Sequence, residues 1–135
     1  MRTTFKTLAA GFVIAIATAG MAAPAAAGGS LSITVLPGNA KDAKAMRTAL
    51  QLYSLHNGLN SGGIAQRGNG NPAGLGQNGR GNLGVIHQQG YGHQGTLQQN
   101  GNGNSYGLFQ FGRNTSANVV QYGGGRTGAT FQFGW

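Results

Sequence analysis

Side-chain amides carry most of the chemistry open to this sequence. A glutamine returns at every eleventh position: Gln66, Gln77, Gln88, Gln99, Gln110, Gln121 and Gln132. Asparagine follows several of them five residues on, at Asn71, Asn82 and Asn104, with His93, Thr115 and Arg126 at the other steps and Asn60 ahead of the series. A carboxamide does not titrate near neutrality; it offers two donors and an acceptor, so stacked copies can satisfy one another where one buried amide alone is costly. Acid chemistry is nearly absent, since Asp42 is the single carboxylate side chain. That excludes paired-carboxylate glycoside cleavage and Asp-rich calcium repeats, and leaves a Ser/His triad to recruit Asp42 from outside the repeat. His56, His87 and His93 are the conceivable metal ligands. With His87 pointing outward from a strand and His93 in a turn, they read as surface or turn histidines. The glycine-rich turns lack the Lys-Ser/Thr pair and following helix of a phosphate loop. The expectation is a protein that is not an enzyme and has no cofactor and no metal.

The elements that must position these amides follow from the same period. Two residues before each glutamine stands Ile64, Leu75, Ile86, Leu97, Leu108, Val119 or Thr130, and two after stands Gly68, Gly79, Gly90, Gly101, Gly112, Gly123 or Gly134. Recurrence at every second residue is the period of a strand with one face buried. The four residues left over, such as Asn69-Gly70-Asn71-Pro72, are turn formers. Strands are therefore expected at 62–68, 73–79, 84–90, 95–101, 106–112, 117–123 and 128–134. An eleven-residue period also suits a right-handed helical supercoil. However, residues 62–135 hold 21 of the 27 glycines, which would cost a helix on the order of 20 kcal/mol. Collagen spacing is missing, and strict phasing of the apolar column argues against a permanently disordered Gly/Asn/Gln tract.

Two strand-turn units then close one coil of 22 residues. The fold class expected is all-β: a two-sheet parallel β-solenoid, amyloid-forming through cross-β stacking. Its core column is Ile64, Leu75, Ile86, Leu97, Leu108 and Val119. Gln66, Gln88, Gln110 and Gln132 form one ladder, and Gln77, Gln99 and Gln121 the other. Asn71, Asn82 and Asn104 read as a shorter ladder or as ordinary turn chemistry.

Ahead of the repeats, Arg2 and Lys6 precede an apolar run and small residues through Ala27, which reads as a secretory signal peptide over residues 1–27. Residues 28–61 read as an N-terminal leader. Ser30–Leu36 alternates like a strand, and Ala40 to about Tyr53 suits a short helix capped by Asn39. Residues 51–61 also lie in phase with the downstream units and read alternatively as a degenerate first repeat. Deleting 28–50 is expected to leave assembly intact, whereas deleting 51–61 should impair it. There is no cysteine, so no disulfide framework braces the exported chain. Beyond the signal segment, seven basic residues (Lys41, Lys44, Arg47, Arg67, Arg80, Arg113, Arg126) face Asp42, a formal +6. Such a surface either keeps the chain soluble or attracts anionic polysaccharide and other polyanions, with no specific nucleic acid indicated.

The unit Q-x-G-x-G-N-x-A-x-x-x-Q resembles the repeat of the curlin family, subunits of the bacterial functional amyloid curli, over residues 62–135. The resemblance implies a subunit of an extracellular, cell-surface fibre, exported via the periplasm and an outer-membrane secretion apparatus. It also implies nucleation by a partner subunit and a role in adhesion and biofilm matrix. It places the family's ladder residues on the seven glutamines and on Asn71, Asn82 and Asn104. His93, Thr115 and Arg126, and Gly84, Gly95, Tyr106 and Gly128 in the alanine column, depart from the motif and leave a minor nucleator or accessory role open.

Outward positions turn aromatic toward the C-terminus: Phe109 and Phe111, then Val120 and Tyr122, then Phe131 and Phe133, ending at Trp135. Phe109 and Phe111 are expected to stack over Phe131 and Phe133 and to form an exposed patch for nucleation or lateral association. The ending resembles that of outer-membrane barrels, but these strands are shorter than the 9–11 residues a barrel uses. A monomeric β-solenoid that presents a flat face to a surface is the other reading; threonine rows for binding ice are missing.

Overall fold

The computed structural model describes residues 28–59 and 62–135. The expected signal segment and Asn60 lie outside them. Strand β1 (Ser30–Val35) is followed by helix α1 (Ala40–His56), and seven strands complete the chain: β2 (Gly62–Arg67), β3 (Ala73–Asn78), β4 (Leu83–Tyr91), β5 (Gln94–Asn100), β6 (Ser105–Arg113), β7 (Ser116–Tyr122) and β8 (Thr127–Gly134). The seven strands fall where the eleven-residue phase puts them, with ends shifted by at most one residue. They alternate between two sheets, ordered β1-β8-β6-β4-β2 and β3-β5-β7. Every pair among β2 to β8 is parallel at an offset of 22 residues, for example Ile64↔Ile86, Leu75↔Leu97 and Leu108↔Thr130. The repeat domain is thus a β-solenoid of about three turns.

Two glycine columns permit the tight stacking. At Gly68, Gly79, Gly90, Gly101 and Gly112 a Cβ would come within 1.8 to 2.0 Å of the carbonyl oxygen of the glycine one coil on, and φ is positive at each. No other residue fits such a backbone approach. The second column, Gly70, Gly81, Gly92, Gly103 and Gly125, takes left-handed turn conformations; its sixth member, Asn114 at φ 55°, is the one positive-φ residue other than glycine among the described residues.

Two apolar clusters result. Inside the solenoid, Ile86, Leu97, Tyr106 and Leu108 are buried, with Ala73, Leu75, Ala117 and Val119 against them. Outside the larger sheet, Leu83, Val85, Phe109 and Ala129 pack with Leu50 of α1, flanked by Met46, Tyr53, Phe111 and Phe131.

The N-terminal segment departs from the expected leader. Asn39 caps α1 by accepting from the Asp42 amide at 2.9 Å, and the helix runs on through His56. Gln51, Tyr53 and Leu55 therefore do not form a degenerate repeat strand: Leu50 and Ser54, on the helical period, are the buried positions. Nor is 28–50 an appendage. β1 pairs antiparallel with β8, in register Ser32↔Gln132 and Thr34↔Thr130, and α1 touches β2, β4, β6 and β8. At 1.5 Å per residue the 17-residue helix is about 25 Å long, enough to cross four strands about 4.8 Å apart. It carries the chain from the β8 end of the stack to the β2 end. Residues 28–50 are thus packed on the repeat domain rather than standing outside it.

Candidate functional site: the amide ladders and the solenoid ends

Inward-facing glutamines lie one above another because 22 residues return the chain to the same place in the coil. In the larger sheet, each Nε2 donates to the next Oε1: Gln66 to Gln88 at 2.7 Å, Gln88 to Gln110 at 2.8 Å and Gln110 to Gln132 at 2.8 Å. In the smaller sheet Gln77 donates to Gln99 at 2.9 Å and Gln99 to Gln121 at 2.8 Å. The second amide hydrogen is also used. Gln99 reaches Leu83 O at 3.1 Å, Gln110 reaches Gln94 O at 2.8 Å and Gln132 reaches Ser116 O at 3.0 Å, each a carbonyl where the chain enters the strand of the opposite sheet. Gln88, Gln99 and Gln110 are fully buried, and no buried side-chain polar atom among the described residues lacks a partner. The amides bond the coils vertically and tie the two sheets together.

The ladders have a direction. Every glutamine-to-glutamine bond points donor-to-acceptor toward the β7 and β8 end, so Gln66 and Gln77 end the stack with a free Oε1, and Gln121 and Gln132 end it with an uncommitted Nε2 hydrogen, among the described residues. Gln66 and Gln77 are exposed, whereas Gln121 is buried and Gln132 half-buried.

The asparagine column works through backbone rather than amide to amide. Asn82 donates to Gly101 O at 2.8 Å and accepts from the Asn104 amide at 3.0 Å; Asn104 does the same with Gly123 O and the Arg126 amide. Asn71 brackets Gly90 O and the His93 amide in the other arc. Arg126 substitutes without loss at its step because the rung needs only its backbone N–H. His93 is fully buried, not a surface turn residue, with Nδ1 2.8 Å from Thr115 Oγ1 and Nε2 3.1 Å from Gln89 O. Its position in the asparagine column was the available signal.

Phe109 stacks on Phe131 with centroids 4.9 Å apart, and Phe111 on Phe133 at 5.4 Å. They do not form one exposed patch. Phe109 lies under Tyr53 and Leu50 of α1, Phe111 and Phe131 are half-buried, and Val120 and Tyr122 sit on the other sheet. Phe133 and Trp135 remain accessible near β1. The helix is fastened over this face by Arg47, which donates to Gly81 O at 2.7 Å, Gly103 O at 3.2 Å, Asn104 O and Ser105 Oγ. Sequence reasoning counted Arg47 as surface charge; nothing in its local pattern shows these distant carbonyls. Tyr53 is hydrogen-bonded to His87 Nδ1. Burial pushes the His87 pKa down, the Arg67 charge adds to this, and a Gln89 hydrogen bond opposes it; burial likewise pushes the Tyr53 hydroxyl up.

No group of three or more His, Asp or Glu side chains converges on a metal-sized site among the described residues. Comparison with family models, curated proteins and solved structures gives no match.

Proposed function

We propose that this chain is a secreted structural subunit of a curli-like extracellular amyloid fibre, growing by the addition of copies end to end and supporting adhesion and biofilm matrix. The observation that carries the reading is the direction of the ladders: donors left over at one end match acceptors left over at the other. A fibre of this kind supplies every end amide with a partner and every open strand edge with a neighbour. Export through the periplasm and an outer-membrane secretion apparatus, and help from a nucleating partner, belong to the same proposal. The exposed Arg67, Arg80 and Arg113 suit contact with anionic polysaccharide in the matrix. Fibre diffraction of the chain lacking residues 1–27 tests it: reflections near 4.7 and 10 Å are expected, and a chain that stays soluble without them would overturn it.

One observation favours a second reading. Solenoids that remain monomeric carry end caps, and β1 covers β8 while α1 covers the outer sheet face. A monomeric surface-binding module would show a single concentration-independent species by sedimentation and no seeding by preformed aggregates.

A further inference from the structure

The end of the stack formed by β7 and β8 is unevenly finished. Among the described residues β7 has no strand beyond it, whereas β8 carries β1. That strand runs antiparallel, unlike the other strand pairs. It sets Ser32 opposite Gln132, too short a side chain to continue the glutamine ladder, and Thr34 opposite Thr130 with hydroxyls 2.9 Å apart. Gly29 and Trp135 exchange both backbone hydrogen bonds at 2.9 Å and extend the pairing to the last residue.

The phase of the repeat states what would otherwise lie there. Seven parallel strands fill three and a half coils, and α1 occupies the sequence from which an eighth would have to come. Continuing the ladders past Gln121 and Gln132 thus places Gln66 and Gln77 of a second copy next, turned half a coil about the axis. The second copy's β2 joins β7, and its β3 joins β8. β1 stands on the edge that β3 needs.

We infer that β1 is a removable cap: in the free chain it covers the β8 edge, and growth at this end requires the β3 strand of an incoming copy to replace it. The inference rests on the fibre reading proposed above. The cap is suited to removal. Its inward residues Ser30, Ser32 and Thr34 are polar and exposed, and Leu31 and Leu36 remain 39% and 68% exposed. At its edge an apolar cleft of about 370 Å³ opens between α1 and the outer face of β6 and β8, where Val35 and Leu36 meet Met46, Phe109, Ala129 and Phe131. The solenoid interior, by contrast, buries Ile86, Leu97 and Leu108 almost completely. A parallel strand that brings Gln77 to the Gln132 rung replaces an antiparallel one that brings Ser32.

The chain has no cysteine, so a reversible lock can be built. In the full chain without residues 1–27, T34C/T130C places two thiols where two hydroxyls already meet. Elongation from wild-type fibre seeds, followed by thioflavin fluorescence with disulfide formation checked by thiol titration, is expected to be at least tenfold slower for the oxidised form than for the same protein reduced. The oxidised form at one-tenth of the wild-type monomer should also arrest wild-type growth at the β8 end of each fibre, because it can add there through β2 and β3 yet presents a closed end. I33D/V35D, which loosens β1 without touching the solenoid interior, should shorten the lag at least twofold. Equal rates for oxidised and reduced protein, or an unchanged lag in I33D/V35D, with cross-β fibres forming, overturn the cap and leave the fibre reading standing. If neither wild-type nor reduced protein forms cross-β fibres, both fall.

Discussion

Single residues divide by whether the coil above depends on them. Gln99 at mid-ladder, fully buried, accepts from Gln77 and donates to Gln121 and Leu83 O. Gln99→Ala strands three partners and should lower the unfolding free energy by about 3 kcal/mol. Gln66→Ala, at the exposed first rung, should cost under about 1 kcal/mol; urea titration of both variants checks the contrast. The glycine columns separate in the same way. Gly101→Ala drives a methyl to 1.9 Å from Gly123 O at a φ of +126° and should destabilise by at least about 3 kcal/mol. Asn114→Gly, in the other column, should change stability by no more than about 0.5 kcal/mol, since lost strain and gained unfolded-chain freedom oppose each other. The Gln and Gly columns are legible in the sequence because period and residue type coincide. His93 and Arg126 are legible there by position but not by residue type, because what their rungs require is partly a backbone N–H, which every residue but proline has.

At the scale of elements, the helix and the strands have different sources of stability. The strands are held by their ladders and core, whereas α1 depends on Leu50, on the Arg47 fork and on the Tyr53–His87 contact. Arg47→Ala should loosen the helix by about 2 kcal/mol, seen as faster amide hydrogen exchange in 40–56 with β4 to β6 unchanged. Acid should act on the same element. With the His87 pKa held down by burial, the folded state keeps the ring neutral while an unfolded or undocked segment protonates at the ordinary value of about 6.5. Docking is therefore complete above that pH and weakens as pH falls below it toward the depressed folded value. Helix exchange rates should rise through this window in the wild type and stay level in His87→Phe. The strand reading of 51–57 fails for a local reason: polar residues alternating with Tyr53 and Leu55 fit period 2, but Ala-rich composition and the Asn39 cap favour period 3.6.

The whole molecule is governed by the 22-residue coil. Deleting residues 84–105 joins Leu83 to Tyr106, which follows Ser105, the stacking partner of Leu83, so the phase and both sheets survive. A shorter but cooperative β-rich fold is expected by circular dichroism and thermal melting. Deleting 84–94 instead moves each later strand to the opposite sheet. Thr96 and Gln98 then face α1 in place of Val85 and His87, and β8 leaves the reach of β1. Helix protection should be lost although half as many residues were removed.

The sequence by itself determined the unit, its two faces and its stacking partner. Inward residues at period 2 and columns at period 11 admit only coils that return in register. Only the tertiary structure decided what the first segment does. β1 and β8 meet across roughly a hundred residues, with Thr34 opposite Thr130. No local period encodes that contact; it depends on the length of α1 matching the height of the stack it crosses. The same docking converts Phe109 from an expected exposed interface residue into core. An outward face is exposed or buried according to what another element places on it, and a strand's own pattern carries no record of that element.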